Sequence, residues 1–426
     1  MASRTAAHLR WSITALLAAS TALNYLDRQT LSILVGTIQK DIKFTDVQYS
    51  YITTTFLVGY TVMTAVSGRL LDWIGTRKGL SIAVAIWSFA SLLHPLCHTV
   101  AQFSLCRLLL GIGESANFPA GVKAIAESFP VRERAFAIGV FNSGSALGAA
   151  VGAPLIAFSA VAFGWRATFV ITGVLGFLWV LAFLKIYRRP HLETDHSDEP
   201  VEASSDKAPA ISFWNVLRLK AAWGCFAARI FIDPVTYFLI FWVPKYLEQE
   251  RGFRLIDIGH YLWAPYLALA AGTVFGGYLP RQLVLAGWTV NRARKGTMLI
   301  SSLLIPICCV VIITTPSVVA VLAALGIFMF SHGAWGNIAI PAEVFPENWI
   351  GTVAGLGGLL GGITGIAGQL GIGQVLKHHS FMPVFLGAGL AYPAAFLSVC
   401  LLIKHLGSSM HFQKKNELLN CSISSD

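Results

Sequence analysis

Apolar residues gather into long runs separated by short polar breaks from one end of the chain to the other. An α-helix rises about 1.5 Å per residue, so ~20 apolar residues cross the ~30 Å hydrocarbon layer of a bilayer. Twelve runs of that order lie near 11–36, 50–71, 79–98, 101–124, 134–159, 165–187, 221–246, 258–280, 296–314, 317–340, 350–376 and 381–404. The pattern predicts an all-α, polytopic membrane protein with twelve transmembrane helices. The widest break, 188–213, is rich in Pro, Ser, Asp and Glu, has no apolar period and reads as a flexible cytoplasmic linker. It divides the chain into six-helix halves, 1–187 and 214–405, followed by a cytoplasmic tail at 406–426. Halves imply a repeat, and Glu127-Ser128-Phe129-Pro130 recurs as Glu343-Val344-Phe345-Pro346, each ahead of a Gly-rich run.

Composition agrees with this reading. Of 426 residues 55% are hydrophobic and 12% charged, about half the charged share of ordinary soluble domains. The net charge of +10 does not imply a nucleic acid, because the basic residues fall in alternate breaks. Arg4 and Arg10, Arg77 and Lys78, Arg132 and Arg134, Arg188 and Arg189, Arg292, Arg294 and Lys295, and Lys414 and Lys415 share one side of a twelve-span chain. The positive-inside rule then places both termini in the cytoplasm. The seven cysteines form no CxxC pair, so neither a metal site nor a disulfide framework is expected, and no cofactor. The first apolar run lacks a small-residue cleavage site, so no signal peptide is expected. No nucleophile–base pair marks an enzyme.

Against this apolar background, charges inside the runs carry the information. Asp27 and Arg28 are adjacent in the first; Arg107 and Glu114, seven apart, share one face of the fourth. A charge near the bilayer centre costs at least ~2.5–3.5 kcal/mol, so it faces a bundle interior or a water-filled cavity. Either these groups neutralise one another as structural glue, or they line a path for an anion and a proton. Asp27 and Arg28 point about 100° apart and can address different partners. Tyr60 in the second run matters if its hydroxyl reaches Arg28 or Arg107. In the seventh run Arg229 and Asp233 are spaced to pair, and Pro234 breaks a helical hydrogen bond. His332, Trp335 and Asn337 cluster in the tenth, where Asn337 is the best candidate for binding hydroxyls. Asn142 and Ser145 in the fifth read as helix-to-helix hydrogen bonds.

The break GRLLDWIGTRK, 68–78, fits G-x-L-x-D-x-x-G-x-R-[KR] at six fixed positions. It resembles the cytoplasmic loop signature of the major facilitator superfamily, and lies between runs two and three as it does there. That resemblance implies twelve helices in two pseudo-symmetric halves and a gating role for Asp72, Arg77 and Lys78, which latch the halves in one state. Further strings narrow it: NYLDRQ, RLLLGIGESANFPAGVKAIAESFP, FNSGSALGAAVGAPL, DPVTYFLIFWVPKYL, GWTVNRARK and HGAWGN. Together they are similar to the anion:cation symporter family, and most similar to its hexuronate and other sugar-acid transporters.

The resemblance implies that Arg28 and Arg107 serve the substrate, that Asp27 and Glu114 take up protons, and that Tyr25 and Tyr60 line the sugar-acid site. Trp335 and Asn337 complete the expected substrate set. Two departures bear on specificity. Relatives that bind aldonates carry a glutamine where this chain has Ser145, and phosphate-ester antiporters carry an arginine near Thr236 that is absent here. The expectation is a proton-coupled symporter importing a hexuronate anion by alternating access, a monomer in the cell (inner) membrane. Its partners would be a small carboxylate, protons and the bilayer. Aldonate or aldarate symport, organic-anion antiport and a non-transporting sensor are the alternatives.

Overall fold

The computed structural model describes residues 2–187 and 213–407. The expected linker therefore lies, but for its last residue, outside the described residues, as does the tail beyond 407. Among the described residues there is no strand. The first half contains α1 (Ala2–Ile42), α2 (Asp46–Ile74), α3 (Thr76–Leu93), α4 (Val100–Glu114), α5 (Asn117–Ser128) and α6 (Val131–Ile186). A short α7 (Phe213–Leu217) leads into α8 (Lys220–Phe241), α9 (Val243–Arg251), α10 (Leu255–Tyr261) and α11 (Trp263–Leu285). The chain then runs through α12 (Val290–Thr314), α13 (Val318–Trp335), α14 (Ile340–Val344), α15 (Glu347–Leu376) and α16 (Met382–Leu402).

Twelve crossings result once the breaks are placed. α6 is two spans, because Gly164 (φ 82°, ψ 162°) is non-helical and only glycine adopts that backbone readily. Span four is α4 plus α5, interrupted at Ser115 and Ala116; spans seven, eight and ten are likewise jointed pairs, α8–α9, α10–α11 and α13–α14. Among the described residues eight helices are long and apolar enough to cross a membrane by length and composition, the long α6 stretch among them. Those that fall short, α1, α2 and α4–α5, carry Asp27, Arg28, Arg107, Glu114 and a Thr-rich stretch. The least apolar spans are thus the ones that hold the candidate chemistry.

Glycines set the packing, and they set it twice. A Cβ on Gly59 of α2 would lie 2.6 Å from the Leu108 carbonyl oxygen of α4, and one on Gly111 would lie 2.3 Å from that of Phe56. In the second half a Cβ on Gly272 of α11 would lie 2.0 Å from the Phe330 oxygen of α13, and one on Gly333 would lie 2.5 Å from that of Leu269. Spans two and four and spans eight and ten are therefore sealed by the same reciprocal contact, helix backbone against helix backbone. The expected glycine face of span five behaves similarly: Gly144 and Gly148 abut the carbonyls of Ala18 and Ala22 on α1.

The halves touch at one end and part at the other. At the end away from the N-terminus, Lys245 of α9 donates to Gln39 (2.8 Å) and to Asp46, Lys40 pairs with Glu248 at 3.3 Å, and Tyr49 donates to the Phe241 carbonyl at 2.7 Å. α2 and α15 are in contact from Ser50 and Gly373 to Thr61 and Gly362, about 16 Å of helix. Beyond that they diverge, and a Cβ on Gly68, Gly351 or Gly355 would meet nothing within 4 Å. The contacts between the halves thus gather at the end away from the N-terminus.

Candidate functional site

Arg28 is the centre of the site. On α1 it follows Asp27 by one residue, and the two side chains part as the 100° step requires. Arg28 turns to α4, where Nε and Nη2 donate to Glu114 Oε2 at 3.1 and 2.8 Å. One turn back, Asn24 Oδ1 accepts from Nη2 at 3.2 Å. Three rings enclose the guanidinium: Tyr25 and Phe56 at 5.1 Å and Tyr60 at 5.0 Å, distances at which the ring faces attract a cation. Phe56 in turn meets Phe241 of α8 edge-on at 5.8 Å, so this cage sits at the seam between the halves.

Asp27 turns the other way, into the first half. Its Oδ1 accepts from Ser91 of α3 at 2.8 Å, while Arg107 Nη1 donates to its backbone carbonyl at 3.4 Å and the Arg107 guanidinium lies 5.9 Å from the Phe169 ring. Both Asp27 and Arg107 are 1% exposed. The four charges converge on one region around α1, in two layers: Arg28 with Glu114 toward the seam, Asp27 with Arg107 behind. Among the described residues Asp27 Oδ2, Glu114 Oε1 and Arg107 Nε and Nη2 are buried without a hydrogen-bond partner, unusual for groups that normally find one.

Across the seam, Asn337 donates to Asp233 Oδ1 at 3.1 Å, and Asp233 Oδ2 is 2.8 Å from Arg229 Nε, the pairing expected from the sequence. Trp335 is placed differently from its neighbour. It is 1% exposed and donates to Ser302 of α12 at 2.9 Å, so its indole is held by packing inside the second half. His332 bonds to Tyr392 and, at 3.3 Å, to Thr236, as a structural histidine does. Ser145 donates to the Asn142 carbonyl of its own helix rather than to a neighbouring one, because its side chain lies on an exposed part of α6.

The 68–78 segment, the end of α2 and the start of α3 joined at Gly75, is tied within its own half. Asp72 pairs with Lys123 of α5 at 2.5 Å, Arg77 donates to the Leu184 carbonyl, and Thr76 and Tyr187 donate to Glu127 at 2.9 and 2.7 Å. Lys78 is exposed. Among the described residues, no hydrogen bond or ion pair joins these groups to the second half. Sequence reasoning missed Lys123 as the partner of Asp72, Phe56 as a wall of the cage and Asn24 as a support of Arg28. Helical spacing signals the last two, Phe56 from Tyr60 and Asn24 from Arg28, four residues each.

Paired buried charges at the seam of two repeated six-helix halves define a membrane transporter and not an enzyme. The family model of the Major Facilitator Superfamily matches residues 17–369, and the chain belongs to that superfamily. The hexuronate transporter of Escherichia coli (strain K12) is 30% identical over 389 residues, covering 88% of this chain and 90% of the relative. The galacturonate transporter of Dickeya chrysanthemi is 32% identical over 281 residues, 64% of this chain and 81% of the relative. A bacterial homologue of the human lysosomal transporter Spinster, solved inward-facing and unoccupied, superposes with a TM-score of 0.71 at 18% identity, covering 93% of this chain and 95% of that one.

Proposed function

We propose that this protein imports a sugar-acid monoanion, a hexuronate such as glucuronate or galacturonate, together with protons, by alternating access. It works as a monomer in the inner membrane. The observation that carries the reading is the double contact of Arg28 with Glu114 inside an aromatic cage at the seam. A guanidinium so occupied has no fork to offer a carboxylate; protonation of Glu114 releases it, and the incoming anion replaces the lost charge. Asp27, buried behind with Arg107 on its backbone carbonyl, is the second proton acceptor, and Arg107 sets the charge of that layer. Tyr25, Tyr60 and Asn337 contribute hydroxyl and amide contacts to the sugar.

Energetics favour protons as the partner. Moving one negative charge inward against an inside-negative potential costs about 2.3 kcal/mol per 100 mV. One proton cancels that term, and a second adds drive from both potential and pH. With the basic breaks cytoplasmic, both termini are inside and the open end faces the cytoplasm. Asp72, Arg77 and Lys78 then act as the gate that closes that end when the sealed end opens. The relatives named hexuronate and galacturonate transporters support the substrate class.

Purified protein in liposomes tests the reading. An inward-directed pH gradient should drive glucuronate accumulation that a protonophore collapses, with alkalinisation of the outer medium. Glucuronate exchange that ignores the protonophore and the gradient points to an anion antiporter, and binding without flux to a sensor.

A further inference from the structure

The second half carries a buried ion pair of its own facing the same seam, and its two members are unequally occupied. One oxygen of Asp233 lies 2.8 Å from Arg229 Nε as an ion pair without hydrogen-bond geometry, the other accepts from Asn337, and its side chain is 9% exposed. Arg229 is 24% exposed, and no hydrogen bond leaves its Nη1 or Nη2 among the described residues. α15 makes room for the pair with glycines: a Cβ on Gly361 would fall 2.0 Å from Asp233 Oδ2, and one on Gly358 would fall 3.6 Å from Arg229 Nη2. Tyr237, one turn along α8, stacks on Phe241, which meets Phe56 of the Arg28 cage. The two pairs thus face one seam from opposite halves.

Their charge differs in use. Once Glu114 is neutral, Arg28 presents a free positive fork, whereas Arg229 remains balanced by the carboxylate beside it. A neutral pair with free N–H donors suits hydroxyl and ring oxygens. A carboxylate brought to the same place meets Asp233 within a few ångströms, a like-charge contact that disfavours it.

We propose, resting on the sugar-acid reading above, that Arg229, Asp233 and Asn337 bind the uncharged polyol end of the substrate and reject a second carboxylate there. One end of the molecule is read by charge and the other by hydrogen bonds alone. Selection of hexuronates over aldarates, which carry a carboxylate at each end, follows from Asp233 as the repulsive element.

The test is a ratio. Initial rates in proteoliposomes with D-glucuronate and D-glucarate give kcat/KM for each, in wild type and in Asp233→Asn, which puts an amide of the same shape in place of the carboxylate and removes the charge. The expected result is a shift of the ratio toward glucarate by about tenfold or more, the scale of one charged contact. Arg229→Lys keeps the pairing charge but loses the fork, and should raise the glucuronate KM about tenfold with kcat little changed. Equal loss of both substrates in Asp233→Asn, or an unchanged KM in Arg229→Lys, reduces the pair to a structural role and overturns the proposal. Calorimetric binding of both acids to the detergent-purified variants, with melting temperatures, yields the same ratio should transport be lost. A wild-type protein that binds neither acid overturns the sugar-acid reading itself.

Discussion

Arg28 grips Glu114 through two nitrogens on a single carboxylate oxygen, leaving the other oxygen of Glu114 buried and without a partner among the described residues. The pair is one proton away from separating. In Glu114→Gln the amide cannot carry that proton or hold the guanidinium by charge. Counterflow of labelled glucuronate should persist in this variant, while accumulation driven by a pH gradient disappears. Uphill uptake at the wild-type level would remove Glu114 from the coupling scheme.

Arg28→Lys preserves one charge and little else. An ammonium cannot make the two-nitrogen contact with Glu114 or lie flat among Tyr25, Phe56 and Tyr60. The apparent affinity for glucuronate should fall by about tenfold or more. A binding isotherm on the purified variant decides it.

Tyr49 donates across the sealed end to the Phe241 carbonyl. Tyr49→Phe removes a buried hydrogen bond worth about 1 kcal/mol net, and only in the form closed at this end. The population open at this end should therefore rise about fivefold. Alkylation of a cysteine introduced at Ser50, which is buried against Gly373 here, should speed up in proportion; an unchanged rate means the bond does not bias the halves.

Two glycines, one in each half, separate packing from spacing. Gly111→Ala drives a Cβ to 2.3 Å from the Phe56 carbonyl oxygen and should destabilise the protein by about 1–3 kcal/mol. Gly355→Ala in α15 meets nothing and should leave stability unchanged or raise it by up to about 1 kcal/mol. Thermal unfolding in detergent of both variants checks the contrast.

Asp41, at the exposed end of α1, accepts from Arg166 Nη1 at 2.5 Å and Trp165 Nε1 at 3.0 Å. These bonds, that of Arg166 first, hold its carboxyl below the usual carboxylate range. A lowered pKa in the folded state contributes stability above the unfolded value near 4, and that contribution is lost as pH falls through the lower, folded value. The melting-temperature difference between wild type and Asp41→Asn should therefore be constant from about pH 5 to 8 and shrink below about pH 4. A difference indifferent to acid would show that the contact adds no pH-linked stability.

Much of this could be read from the chain because a bilayer enforces simple rules. Run length counted the crossings, and the cost of a charge in hydrocarbon singled out Asp27, Arg28, Arg107 and Glu114 before any geometry was known. The glycines of α6 announced a tight helix contact. What stayed hidden was partner choice. Seven-residue spacing put Arg107 and Glu114 on one face of span four, yet Arg107 serves the Asp27 backbone and Glu114 the Arg28 side chain, because α1 passes both. Trp335 and Asn337 are two residues apart in sequence, but Gly336 (φ 68°) ends α13 between them, sending one inward to Ser302 and the other to Asp233. Periodicity alone does not register a change of direction made by one left-handed residue.

The interruption at Ser115 and Ala116 gives span four a knuckle, and Glu114 sits on it. Above the knuckle, Arg107 ties one arm to α1 at Asp27; below it, Asn117 ties the other arm to α1 through Ser20 at 2.9 Å and Thr21 at 3.0 Å. α1 is thus fastened to span four on both sides of the interruption, and Glu114 is the carboxylate between the two ties, so the arginine it holds belongs to the same helix that braces it.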